Sequence, residues 1–176
     1  IASASYFSFA PDLPLNVLPM ARRIKGGLRI RLKTTAGLTF AQTGIDRLCF
    51  HLSGRDDVAN KLYELVLAGK VGALVVPAKT PPPWHEFIST DAICPVGFTD
   101  EEALLPVTLR SFQGYRLLQE YFSFPQRFRF FEVSGLARAM KRVDANQLEL
   151  VILFGRGDAT LENVVDASNL ALYCTP

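Results

Sequence analysis

Leu148-Glu149-Leu150-Val151-Ile152-Leu153-Phe154 is the stretch on which the fold turns: six of its seven residues are apolar, without alternation. A strand with one wet face alternates, whereas an unbroken apolar run needs cover on both faces and belongs inside a sheet. Residues 71–76 carry a second run of this kind. Outward from these two, the pattern changes to a period of two. Leu28, Ile30 and Leu32 alternate with Arg29, Arg31 and Lys33, and Leu48, Phe50 and Leu52 alternate with Arg47, Cys49 and His51. Both stretches predict half-buried strands, over 28–33 and 45–52. The basic face of the first fits either a solvated, charge-protected sheet edge or contact with an acidic partner.

Helical spacing appears between the strands. Ser53-Gly54-Arg55 reads as a turn, Asp56 or Asp57 as a helix cap, and Val58, Leu62, Leu65 and Val66 as one apolar face. Gly69 is expected to end this helix in the left-handed conformation. Strand, helix and strand over 45–76, joined by short connectors, predict a right-handed parallel crossover. Pro77 to Pro83 then favour an extended polyproline spacer that leads to Trp84, the single tryptophan.

Further on, Ser111 is expected to cap a helix with Tyr115, Leu118, Tyr121 and Phe122 on one side, ended by Pro125. Phe128 and Phe130 alternate with Arg127 and Arg129, which reads as another strand. Gly155-Arg156-Gly157-Asp158 turns into a short helix through Leu161, Val164 and Val165, and residues 170–173 make a last strand. The predicted class is α+β, with mixed, largely antiparallel sheets, short flanking helices and two sub-domains. Residues 1–20 read as a Pro-rich arm, 21–77 as a first sub-domain, 78–110 as an irregular connector and 111–176 as a second sub-domain.

Composition narrows the function. Net charge is +2 over 176 residues, so no strong electrostatic footprint for nucleic acid exists. Hydrophobic residues reach 49% and charged ones 20%, which fits a well-filled core or apolar surface reserved for partner chains. Cys49, Cys94 and Cys174 are an odd, widely spaced set and read as buried thiols in a reducing compartment. No apolar run approaches a membrane span, so no membrane insertion is expected. His51 and His85 share no metal-ligand spacing, and no nucleophile elbow or phosphate loop occurs. Gly155-Arg156-Gly157 is nearest to an anion-binding turn, but Asp158 would repel the anion. Asp100, Glu101 and Glu102 read as a solvated helix start. Neither a catalytic residue, a metal nor a cofactor is expected.

Aromatic density is the unusual feature. Phe112, Tyr115, Tyr121, Phe122, Phe124, Phe128, Phe130 and Phe131 crowd together, with Arg110, Arg116, Arg127 and Arg129 among them. Their helix and strand periods suggest inward-facing rings. Two other readings use the same residues: an interface anchored by aromatics and Arg, or a single-stranded nucleic-acid module over 110–131.

A family resemblance enters on specific residues. Leu104-Leu105-Pro106, Arg110-Ser111-Phe112-Gln113-Gly114-Tyr115-Arg116-Leu117-Leu118-Gln119-Glu120-Tyr121-Phe122-Ser123-Phe124-Pro125 and Phe130-Phe131-Glu132-Val133-Ser134-Gly135-Leu136 resemble the signature of the TssF (VasA/ImpG) family of type VI secretion baseplate subunits. Leu161-Glu162 and the closing residues 170–176, ending in Cys174-Thr175-Pro176, are similar as well. So are residues 27–33, Asp46-Arg47-Leu48 and Leu62-Tyr63-Glu64-Leu65. The likeness runs over roughly residues 21–176 and is specific over 104–136. The family's proteins are several times longer, so this chain, which opens without Met, is expected to be an internal piece.

The resemblance implies a non-enzymatic scaffold without a cofactor. It would sit in the cytoplasm at the inner-membrane-docked baseplate, forming wedges with TssG and a second TssF copy. TssK and TssE would join the wedges beneath a contractile sheath. On that reading Trp84, Tyr115, Arg116, Phe122 and Phe124 are the candidate interface residues.

Overall fold

Strand β8 (Gln147–Phe154) occupies the middle of a five-stranded sheet, with both faces covered. Leu148, Leu150, Ile152 and Phe154 enter the main core, while Val151 and Leu153 enter a smaller cluster on the opposite face. Its neighbour β4 (Lys70–Pro77) divides in the same way, Ala73 and Val75 against Leu74 and Val76. Burial on two sides is why neither run alternates. The structure is a computed structural model that describes residues 1–18, 20–107 and 112–174.

The first sheet has the order β1 (Ser3–Phe7), β2 (Gly26–Lys33), β8, β4 and β5 (Glu86–Ile88). The second has the order β6 (Ile93–Val96), β7 (Phe130–Val133), β3 (Leu48–Leu52) and β9 (Leu170–Ala171). All pairings among the described residues are antiparallel, so the class is α+β. The parallel crossover expected over 45–76 does not form. Helix α2 (Asp56–Ala68) leaves β3 in one sheet and delivers the chain to β4 in the other, so the two strands never pair. Each sheet also interleaves strands from 21–77 and 111–176: β8 lies between β2 and β4, and β3 between β7 and β9.

Several local expectations are corrected. Residues 1–20 are not a free arm, because β1 adds to β2, and Ala10, Leu13 and Leu18 bury themselves on the outer face of the first sheet. The connector 78–110 contributes β5 and β6, both edge strands, and Pro95 is tolerated in β6 because an edge needs no donor outward. Strand β2 is not an edge. Arg29 donates to both Asp12 oxygens at 2.9 and 2.7 Å, and Arg31 pairs with Glu149 of β8, so both arginines of the basic face are paired within the molecule, while Lys33 at the end of the strand is exposed.

Helix α2 starts after Arg55 as N-cap, with Asp56 and Asp57 in its first turn, and Gly69 is right-handed at φ −95° rather than left-handed. Residues 125–128 form a 3-10 turn that opens on Pro125, so β7 begins only at Phe130. After Asp158 the helix is one 3-10 turn, Ala159–Leu161, ended at Glu162, which is extended at ψ 133°, and Asn163 follows in the left-handed region at φ 60°. The last strand is limited to Leu170–Ala171.

Two short helices, α1 (Phe40–Thr43) and α4 (Ala137–Lys141), pack together beside the main core. At Gly27, where β1, β2 and β8 converge, a Cβ would lie 2.7 Å from the Ile152 carbonyl oxygen and 2.6 Å from the Phe7 ring. Gly27→Val is expected to cost about 1–3 kcal/mol through this overpacking. A urea melt would show it as a lower midpoint, and an unchanged midpoint would mean that β1 shifts freely.

Candidate interface site

Helix α3 (Gln113–Ser123) carries an apolar stripe and a polar one, and it is docked with the polar stripe inward. Arg116 and Glu120, four residues apart and therefore on one face, are 6% and 3% exposed. Opposite them Arg127 is fully buried. Glu120 forms an ion pair with Arg127 and another with Arg116 at 3.2 Å, and Arg116 also reaches Asp100 at 3.1 Å. The second oxygen of Glu120 accepts from the backbone N–H groups of Leu104 and Leu105 at 3.1 and 3.0 Å. Arg127 in turn donates to the Glu102 carbonyl oxygen. Burial, followed by the like charge of Arg116, draws the Arg127 guanidinium below its usual range.

Glu102 holds the preceding turn in place. Its carboxylate accepts from the N–H groups of Gly97 and Thr99 at 2.9 and 3.1 Å. Burial works against the charged form, but these amide bonds dominate and keep the carboxyl below the ordinary glutamate range. Asp100, Glu101 and Glu102 are thus a turn around α3 rather than the start of a helix.

With its charges inside, α3 shows its rings to solvent. Phe112, Tyr115 and Phe122 are 74%, 70% and 80% exposed, and Leu118, Tyr121 and Phe124 are exposed as well. The inward expectation therefore fails for the α3 aromatics and holds for Phe128, Phe130 and Phe131, which are buried. Beside the exposed stripe, Tyr63, Phe98, Leu117, Leu118, Tyr121 and Phe128 enclose an apolar hollow of about 270 Å³. Rings lining a concave, uncharged surface next to an exposed apolar helix face give a surface suited to another protein.

Of the sequence-predicted interface residues, Tyr115, Phe122 and Phe124 fall together on or beside this helix and are exposed. Arg116 lies beneath it in the ion-pair network. Trp84 sits elsewhere, half-buried against the main core, with the Arg142 guanidinium 4.4 Å from its ring centroid. Glu120 and Arg127 were missed on sequence, although the Arg116–Glu120 spacing was the available signal. Ser111 and Arg110 lie outside the described residues.

The remaining arginines of this segment do not form a phosphate track. Arg127 is buried, and Arg129 pairs with Asp56 at 2.9 Å. The nucleic-acid reading of 110–131 therefore finds no support. His51 lies on the outer face of β3 against Phe130, with ring centroids 4.5 Å apart, and burial lowers its pKa. Of the thiols expected to be buried, Cys49 is half-buried, whereas Cys94 and Cys174 are exposed. Among the described residues no three His, Cys, Asp or Glu side chains are placed to hold a metal ion. No helix among them is long and apolar enough to cross a membrane.

Comparison with known proteins adds to this geometry. A family model described as "Type VI secretion system, TssF" matches residues 1–176. "Type VI secretion system component TssF1" of Pseudomonas aeruginosa is 46% identical over 176 residues, which is 100% of this chain and 28% of that protein. The chain thus spans just over a quarter of the curated relative's length. A chain of the type VI secretion system TssK-TssF-TssG baseplate subcomplex, solved by cryo-electron microscopy, superposes with a TM-score of 0.69 at 21% identity. That match covers 85% of this chain and 28% of the other, and it establishes a shared fold. By sequence over its whole length, then, this chain belongs to the TssF family of the type VI secretion system.

Proposed function

We propose that this chain is a structural segment of a type VI secretion baseplate, working by shape and contact rather than by catalysing a reaction. The observation that carries the reading is α3, whose charges are paired inside and whose rings stand in solvent. Exposed apolar surface on this scale is costly to keep in water unless another protein covers it. Tyr115, Phe122 and Phe124 are the contact residues, and Arg116 positions them by anchoring the helix. Trp84 is a second, separate contact candidate on the rim of the Pro-rich loop. The neighbours are TssG and TssK, in line with the subcomplex in which a protein of this fold is found. A second TssF copy and TssE complete the assembly, in the cytoplasm where the baseplate meets the inner membrane.

The reading is tested with a photo-crosslinking amino acid at position 115 of the full-length protein, co-expressed with TssG, TssK and TssE. Irradiation is expected to join position 115 to one of these subunits or to a second TssF copy. If the assembled complex forms but position 115 stays uncrosslinked, while a probe on the opposite sheet does crosslink, the α3 face is not the contact.

A further inference from the structure

The apolar hollow beside α3 is formed by the folded chain itself. Its base is Phe128, which is 6% exposed in the 3-10 turn after α3. The rings of Phe98 and Tyr121 lean on Phe128, with centroids 5.1 and 5.9 Å from it. Tyr63 of α2 lines the hollow from the body, where it packs partly buried against the main core. A hollow whose walls are already packed costs its occupant little further ordering of those walls.

Its chemistry and that of the helix beside it agree. No charged side chain lines the hollow. The described side chains that α3 exposes, Tyr115, Leu118, Gln119, Tyr121, Phe122 and Ser123, are all uncharged. The two charged groups of the helix, Arg116 and Glu120, are paired beneath it. A charge laid on this surface would lose its water and find no counter-charge on α3. Tyr115, Leu118 and Phe122 are three and four residues apart, which is the seam one helix offers to another. Leu118 belongs both to that seam and to the wall of the hollow.

We infer that the hollow is the socket for one large apolar side chain, aromatic or branched, carried on the uncharged face of an amphipathic helix of a different baseplate subunit. The space fits: about 270 Å³ exceeds the roughly 150 Å³ cavity that takes up a benzene molecule. A second helix lying along the seam passes the mouth of the hollow at Leu118. A second copy of this chain offers the same concavity, and two concavities face to face leave both empty. The inference rests on the reading of α3 as a contact surface and adds what that contact takes in.

Two measurements test it on the full-length protein co-expressed with TssG, TssK and TssE. In the first, a leucine-sized photoreactive residue is placed at position 118 or 122, in parallel with the probe at 115, and the captured peptides are sequenced. Position 118 is expected to capture a large apolar residue of another subunit. The residues captured from 115, 118 and 122 should recur every three or four positions along one stretch of it. In the second, Phe98→Glu puts a carboxylate into the wall of the hollow and leaves α3 unaltered. Affinity for the captured subunit should fall by about 30-fold or more, while Phe98→Leu, which keeps the wall apolar, should stay within about threefold. Equal effects of the two substitutions would overturn the inference. Capture at 115 without capture at 118 would overturn the socket and leave the α3 contact standing, whereas silence at all three positions in an assembled complex would overturn both. Capture of a charged residue at 118, of alternate residues as in a strand, or of a second copy of this chain would overturn the socket as well.

Discussion

Replacing Phe131 by Ala is expected to lower the stability of this domain by about 3–5 kcal/mol, the usual cost of emptying a buried aromatic site. Phe131 is fully buried on β7 and lies directly opposite Phe50 of β3. Their rings stack with centroids 5.2 Å apart and planes 18° from parallel, which adds about 0.5–1.5 kcal/mol beyond area burial. On its other side Phe131 is in register with Pro95 of β6, so it occupies an inner strand of the second sheet. The loss is large against the roughly 5–15 kcal/mol that holds a domain together. In urea the midpoint should fall with the slope unchanged, since the surface exposed on unfolding is nearly the same. A loss under about 1 kcal/mol would mean that β3 and β7 close over the cavity, which the stacked register makes difficult.

The central strands were legible in the sequence because their physics is local. An apolar run without alternation has to be covered twice, and β8 and β4 are covered twice. Their partners were less legible. β2 and β8 pair through residues such as Arg31 and Glu149, which are 118 positions apart, and no periodicity reports such a distance. The parallel crossover failed for this reason: short connectors say that strands follow each other, not that they share a sheet. β5 and β6 were overlooked because strands of three or four residues on an edge carry almost no pattern.

The same limit applies to α3, with a different cause. A period of 3.6 identifies two stripes on a helix but not which one turns inward, and the common case is the apolar one. Here the decision is made by Arg127, which Pro125 carries into a 3-10 turn and which is then fully buried. A buried guanidinium needs a carboxylate, and Glu120 supplies it only if the polar stripe of α3 faces the body. The aromatic density read from the sequence was therefore genuine, but its division into core and surface followed from a charge 7 residues beyond Glu120 in the chain.

That division yields the second large effect, which falls on assembly and not on folding. Phe122→Ala is expected to leave the melting of the isolated domain within about 0.5 kcal/mol of the unmodified chain, as for other exposed positions. The ring is 80% exposed, and its aromatic neighbour, Tyr121 at 5.6 Å, is itself 50% exposed. Affinity for the baseplate neighbours should fall by about 2 kcal/mol or more, close to 30-fold, because exposed aromatics that become enclosed dominate interface energies. Phe9 is a suitable control: it is 82% exposed but lies on the segment after β1, outside the α3 surface. If Phe9→Ala weakens assembly as much as Phe122→Ala does, general surface apolarity drives association and α3 has no special role. If only Phe122→Ala weakens it while both variants melt normally, the rings of α3 are anchors, and the buried charges beneath them are what keeps those rings outside.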